Sequence, residues 1–315
     1  MHLLDTVKKH LWKLNNRLTK NFLSNTWPEN VTQFSNAPDS ICLSEWWQEK
    51  VPYLKQFQLG EDVPTSTQVS WYPMDTEEHF NSLEPQGPHY KFNKDNVRYT
   101  LNSYGYRSLY EPTASEHFTV LVIGDSHTFG IGLDDKQVWP SQFQKLLQQQ
   151  HPRCRVINMS LPGGSNDYIA RIIYTCLATI KPDCVIPVYT YPNRREAIWD
   201  SGLIWQLNTT VPKNPVQSEY EEFQSWFMTI NEHSDYYNLM RNHNLIKLAC
   251  RDAILIESHV TGLHVIQTNL NKILGYNDVA RDCKHFGPKV HQHYADKIYR
   301  MFRDRQKQKI ECKID

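Results

Sequence analysis

The chain has 315 residues, with 34 Lys plus Arg set against 34 Asp plus Glu, so its formal net charge is zero. General nucleic-acid binders carry a basic excess for phosphate contacts, and its absence argues against nucleic acid as a partner. At this length one large domain, or a domain plus an extension, has ample material for a buried core.

Seven cysteines (Cys42, Cys154, Cys176, Cys184, Cys250, Cys283 and Cys312) are scattered, odd in number and never spaced as Cys-x-x-Cys. That pattern argues against a disulfide framework and a structural zinc site and fits a reducing compartment, so a cytoplasmic location is the default expectation. No run of about 18 apolar residues indicates a transmembrane segment. The N-terminal stretch lacks the unbroken apolar centre of a signal peptide, because Lys8, Lys9, Lys13, Arg17 and Lys20 interrupt it. Leu4, Val7, Leu11, Leu14, Leu18 and Phe22 instead recur at spacings of three and four, which predicts an amphipathic helix. Such a helix over residues 1–23 either docks on its own domain or contacts a protein partner or a membrane surface.

Residues 25 to 115 show no long helical period and are rich in Trp, Tyr, Pro and Asn. Within them Val97, Tyr99 and Leu101 alternate ahead of turn signals at Asn102-Ser103 and Gly105, predicting a short strand or hairpin. Residues 1–115 thus read as a helical and irregular N-terminal extension, and 116–315 as the main domain.

In the main domain, strand and helix patterns alternate. "FTVLVI" (118–123) is a continuous apolar run, as expected for a strand covered on both faces. A helix follows near 136–150, then the strand "RVINM" (155–159), then an amphipathic helix with Ile169, Ile172, Ile173, Leu177 and Ile180 on one side. The third strand, "CVIPVYT" (184–190), contains Pro187, which points to a bulge or an edge position. An insertion over about 192–235 carries Trp199 and Trp205, and helical stretches fall near 217–230 and 235–256. "LHVIQT" (263–268) reads as a fourth strand, and Pro288 suits the first turn of a closing helix. The pattern predicts an α/β three-layer sandwich with a mostly parallel central sheet.

Parallel sheets of this class bind ligands at the carboxyl ends of their strands. Ser126 in "GDSHTFG" follows the first strand, Gly163 and Gly164 in "NMSLPGGSND" follow the second, and Asn193 in "TYPNRRE" follows the third. Asp282 and His285 in "RDCKHFGP" precede the last helix. A serine hydroxyl needs an adjacent base to become a nucleophile, and an imidazole held by a carboxylate supplies one. Ser126 also leads toward a helix N-terminus, whose free N–H groups favour a developing oxyanion.

These motifs, in this order, resemble the SGNH (GDSL-type) hydrolases over roughly residues 116–305. The resemblance implies a flavodoxin-like SGNH fold and a serine esterase that needs neither metal nor organic cofactor. By position it makes Ser126 the nucleophile, His285 the general base and Asp282 the residue orienting it. The backbone of Ser126, the backbone of Gly163 (with Gly164 as the alternative) and the side chain of Asn193 would form the oxyanion hole. Pro192-Asn193-Arg194 departs from the Gly-x-Asn-Asp that the family often shows at this point.

Rival motifs are incomplete. Gly130-Ile-Gly132 lacks the third glycine of a dinucleotide fingerprint, and Thr128 removes Gly-x-Ser-x-Gly. His291 and His293 lie two apart on a predicted helix and point in different directions, so no metal site is expected from them. His127, Trp199 and Trp205 are candidates for substrate binding, and aromatic faces near the rim suit a carbohydrate O-acetyl ester among small-molecule ester substrates. An acyltransferase, or a non-catalytic binding module on the same scaffold, is the alternative reading.

Overall fold

The computed structural model describes residues 64–83, 96–198, 204–208 and 230–311. The chain divides into two compact units, Met1–Pro52 and Tyr53–Asp315, and every described residue lies in the second. The helix expected over residues 1–23, the helical stretch near 217–230 and Trp199 fall outside the described residues.

Strand β1 (Thr67–Val69) leads to α1 (Glu77–Ser82) and β2 (Tyr99–Leu101), and the two strands pair antiparallel. The alternation at Val97, Tyr99 and Leu101 therefore does mark a strand. Its partner is β1, with Thr67 opposite Leu101, and not a neighbour across the following turn.

The main domain continues with β3 (Thr119–Ile123), the single turn α2 (Ser126–Phe129), α3 (Trp139–Leu147), β4 (Arg155–Asn158), α4 (Asn166–Ile180) and β5 (Cys184–Tyr189). A hairpin follows, β6 (Arg194–Ile198) and β7 (Ile204–Asn208), then α5 (Glu232–Ala249), β8 (Ile254–Leu255), β9 (Ser258–His259), α6 (Thr261–Leu274) and α7 (Pro288–Glu311). The central sheet runs β4-β3-β5-β8, with β9 also paired to β5, and every pairing in it is parallel.

Period-2 alternation along β3 and β5 divides the core into two faces. Val120, Val122, Cys184, Ile186 and Val188 pack with Trp139 and Phe143 of α3, Leu263 and Leu270 of α6, and Val290, Tyr294, Ile298 and Phe302 of α7. Leu121, Ile123 and Val185 face the other way, against Ile169, Ile172, Ile173 and Ile180 of α4 and Ile246 of α5. Each such fully buried aliphatic or aromatic side chain is worth about 1.5–3 kcal/mol. The result is the three-layer α/β sandwich that the sequence predicts.

Three elements differ from the sequence reading, the first being the stretch read as helical near 235–256, whose helix ends at Ala249 and whose Ile254–Leu255 is strand β8. "LHVIQT" is helical, lying within α6. Leu263, Ile266, Leu270 and Leu274 fall on one helical face against the core, whereas Val265, which an alternating strand would pair with Leu263, is 60% exposed. The fourth position in the sheet is filled by β8 and β9 from the short apolar run before it.

Pro187 is neither at an edge nor in a bulge, since β5 lies between β3 and β8 and pairs Ile123 with Pro187 in register. The carbonyls of Val185 and Tyr189 accept from Ile256 N and Val260 N on the β8/β9 side. Pro187, two residues from each, turns its missing donor to that side, where β8 gives way to β9 and the ladder is interrupted.

The segment ahead of β3 is tied to the body by a buried ion pair. Arg281 and Asp75 are 0% and 1% exposed, with Arg281 Nη2 2.6 Å from Asp75 Oδ2 and Arg281 Nε 3.1 Å from Asp75 Oδ1. Tyr99 Oη donates to Asp75 Oδ2 at 2.5 Å and accepts from Gly132 N at 2.7 Å, and the Arg281 guanidinium lies 3.8 Å from the centre of the Trp71 ring. Removing one partner of such a pair strands a charge in the interior, at a cost of about 3–5 kcal/mol. Asp75→Ala is accordingly expected to lose that amount in urea unfolding. Asp252→Ala, which removes a solvent-exposed partner of Arg251, should leave the midpoint nearly unchanged.

Candidate functional site

β3 has β4 on one side and β5 on the other, so the chain leaves β3 at the point where the strand order reverses, the place where such sheets open a crevice. The segments after β3, β4 and β5 carry Ser126, Gly163 and Asn193 respectively. The loop between α6 and α7 carries Asp282 and His285 and brings the His285 ring against His127 of the first of these segments.

Ser126 is the first residue of α2, and Asp125 is its N-cap. Asp125 is fully buried, and each of its acceptors is used. Its Oδ1 accepts from His127 N at 3.0 Å, and its Oδ2 accepts from Thr190 Oγ1 and Arg194 Nη1, both at 2.9 Å. Its carbonyl takes Thr128 N and Phe129 N at 3.0 and 2.9 Å. Asp125 thus takes up the N–H groups of His127, Thr128 and Phe129, and that of Ser126 stays outside the hydrogen bonding of this turn. The turn closes on Gly130 with φ 84°, where an added Cβ would fall 2.2 Å from Val138 Cγ1. The helix at Ser126 is only four residues long, so what it offers an oxyanion is this backbone N–H and not a sizeable macrodipole.

The segment after β4 is laced to the end of β3. Leu161 N donates to Gly124 O at 3.1 Å and Gly164 N to Leu161 O at 2.8 Å. The two glycines serve different ends. Gly163 has φ 78° and open space where a Cβ would project, whereas a Cβ on Gly164 would lie 2.9 Å from Leu161 O and 3.3 Å from Gly124 O. The segment after β5 is held by Asn166, whose Oδ1 accepts from Thr190 N at 3.0 Å and whose Nδ2 donates to Thr190 O at 3.1 Å. Asn193 follows in the turn that Arg194 N closes onto Tyr191 O at 3.1 Å.

His285 Nδ1 lies 2.5 Å from Asp282 Oδ2, and the backbone N–H groups of Lys284 and His285 both donate to Asp282 Oδ1 at 3.1 Å. Both residues are buried, at 1% for Asp282 and 6% for His285. Burial alone would raise the pKa of the Asp282 carboxyl. The bond and charge of His285, with the two N–H donors, outweigh it and hold the carboxyl below its ordinary range. The same loop is pinned by Arg281 N donating to Gly132 O at 2.9 Å and by a 3.3 Å bond between His79 Nε2 and Asp282 O.

His127, next to Ser126, links the two halves of the site. Its ring centre is 4.9 Å from that of His285, 4.5 Å from Phe286 and 5.9 Å from His264. Burial pushes the His127 imidazole down to about 4, with His285, His264 and Arg194 adding to the fall and Asp125 opposing it. At neutral pH it is an uncharged wall of the site. His264 in turn meets Tyr191 Oη at 2.7 Å. Sequence reasoning missed His264, because it lies in the segment misread as a strand. It noted Arg194 only as a departure from a motif and gave it no role. Trp205 lies in β7, opposite Ala197 of β6.

His291 and His293 have separate tasks on α7. His291 is fully buried, and its Nδ1 accepts from Trp139 N at 3.0 Å at the start of α3, whereas His293 is exposed and bonds Lys289 O within its own helix. Among the described residues no helix is long and apolar enough to cross a membrane.

No family model matches the chain, and no curated protein is significantly similar to it. Among solved structures it is similar to TesA, at 17% identity over 59% of this chain and 99% of that one, with a TM-score of 0.34. It is also similar to a lipolytic protein of the G-D-S-L family from Desulfitobacterium hafniense, at 11% identity over 58% and 98% with a TM-score of 0.35. A third similar structure is a catalytic mutant of Axe2, an acetylxylan esterase from Geobacillus stearothermophilus, at 14% identity over 60% and 95% with a TM-score of 0.29. At TM-scores this low the likenesses carry none of the chemistry, which rests on the geometry above.

Burial pushes His291 down to about 3 and His127 to about 4, whereas both return to about 6.5 in the unfolded chain. The unfolded state therefore binds more protons below about pH 6.5, and stability falls as pH drops from there toward 4. His291→Asn, which keeps an acceptor for Trp139 N, should lose stability at pH 7 but show a shallower acid slope. Tm measured from pH 7 to 4 checks this, and a slope as steep as that of the native chain would contradict it.

Proposed function

We propose that this protein is a serine ester hydrolase working through an acyl-enzyme on Ser126. The observation that carries the reading is the buried Asp282–His285 pair at 2.5 Å, whose imidazole lies 4.9 Å, ring centre to ring centre, from that of His127, the residue after the serine that begins α2. Asp282 receives Nδ1–H and fixes the tautomer, which leaves Nε2 of His285 as the base. His285 takes the proton of Ser126 as Oγ attacks the substrate carbonyl, then returns it to the departing alcohol. A water deprotonated by the same imidazole attacks the acyl-enzyme, releases the acid and restores the serine.

The negative charge that develops on the carbonyl oxygen is met by the Ser126 N–H left over by Asp125, the backbone of Gly163 and the Asn193 amide. Gly163 suits that task better than Gly164, since its face is open and that of Gly164 is filled. The substrate class we favour is an O-acetyl ester of a carbohydrate. Supporting it are the two tryptophans that the sequence carries in this segment, Trp199 and Trp205, and Tyr191, whose hydroxyl lies 2.7 Å from His264 Nε2.

Ser126→Ala is expected to abolish hydrolysis of p-nitrophenyl acetate and labelling by a fluorophosphonate with no loss of Tm. Near-native turnover in that variant would overturn the assignment. Asn193→Ala should lower kcat about 100- to 1,000-fold with little change in KM, because the amide bond strengthens only as charge develops. A variant that lost Tm and kept kcat would make Asn193 a turn residue alone. Parallel assays on acetyl-to-palmitoyl esters and acetylated sugars test the substrate class.

A further inference from the structure

We propose that the β6–β7 hairpin is the clamp of the oxyanion site, with Arg194 and Gln206 as positioning residues that hold its two backbone walls. The inference rests on the esterase reading above and adds residues that the nucleophile, base and oxyanion donors do not include.

The hairpin reaches one wall through Arg194, at the start of β6. Its Nη1 bonds Asp125 Oδ2 at 2.9 Å, the carboxylate that caps the turn bearing Ser126. Asp125 is fully buried and Arg194 supplies its countercharge, so the position of the cap is coupled to that of the hairpin. The opposite wall is reached through Gln206 of β7. Its Oε1 accepts from Ser165 N at 3.0 Å, the N–H directly after Gly163-Gly164. Ser165 is the N-cap of α4, so its own N–H lies outside the helical ladder and depends on this side chain.

The hairpin is itself fixed to rigid elements, which is what a clamp requires. Gln206 Nε2 donates to Glu196 Oε1 at 2.8 Å, across the strand pairing that sets Glu196 opposite Gln206. Glu196 receives both Arg171 Nε and Nη2 of α4 at 2.8 Å, and its backbone N donates to Asp167 Oδ2 at 3.0 Å. Arg195 reaches α5 through Asp235 Oδ1 at 3.0 Å. Two packed helices thus hold the hairpin, and the hairpin holds the two segments between which an oxyanion would sit. Displacements near 1 Å in such a site cost on the order of 100-fold in rate. The loss appears in kcat because a ground-state carbonyl draws little on the hole.

The test uses the full chain as native protein, Arg194→Ala, Arg194→Lys, Gln206→Met and Arg195→Ala. Fluorophosphonate labelling to completion counts active serines, and kcat and KM for p-nitrophenyl acetate are expressed per labelled site. Arg194→Ala and Gln206→Met should lower kcat about 10- to 100-fold with KM within about twofold. Arg194→Lys, which keeps a cation for Asp125, should recover most of the loss. Arg195→Ala, which loosens the hairpin from α5 but touches neither wall, should lower Tm and reduce kcat per site less than either wall variant does. Should Arg194→Ala fail to fold, Gln206→Met and Arg194→Lys carry the comparison. Unchanged kcat per labelled site in Gln206→Met and Arg194→Ala would overturn the clamp and leave the esterase reading standing. Failure of the native protein to label at Ser126 would bring down both, a result read on the native chain alone.

Discussion

The buried pair between Asp75 and Arg281 is the constraint on which the arrangement of this molecule turns. Neither group tolerates the interior alone, so the segment before β3 and the loop before α7 are obliged to meet. Tyr99 extends the pair to the backbone of Gly132, just beyond the turn that carries Ser126. Asp282 is the next residue after Arg281. One charge interaction, between residues more than two hundred positions apart in the chain, thus sets where the Asp282–His285 loop lies relative to the turn after β3.

A second carboxylate, Asp125, does the equivalent work on the sheet side. It gathers the first turn after β3, the end of β5 through Thr190 and the hairpin through Arg194. Its role explains the sequence Gly-Asp-Ser in physical terms. Gly124 leaves room for Thr128 and for Val188 of β5, Asp125 caps the turn, and Ser126 is presented with its N–H unspent. The two carboxylates are satisfied by different partners, so the halves of the site are built independently and meet at the His127–His285 contact.

His127 packs against His285, while Phe286 and His264 pack against His127, and burial keeps His127 uncharged at neutral pH. In the esterase reading proposed above, a neutral His127 would spare a protonated His285 the repulsion of a second cation, and the fixed hydrogen bonds at Asp282 would orient the base at no reorganisation cost.

By itself the sequence determined those features that depend on local pattern. The continuous apolar run of β3, the one-sided periodicity of α4, the Pro-led start of α7 and the order of Ser126, Gly163 and Asp282-x-x-His285 were all legible, because each is written in neighbouring residues. Only the tertiary structure decided the rest. "LHVIQT" looks apolar enough for a strand, and the packing of Leu263, Leu270 and Leu274 on the core makes it a helix. Pro187 reads as an edge residue until the break between β8 and β9 removes the need for its donor. The pairing of β1 with β2 and the reach of Arg194 and Gln206 toward two distant backbones have no local signature. These contacts join residues far apart in sequence, and a periodicity or a motif records only what neighbours along the chain do.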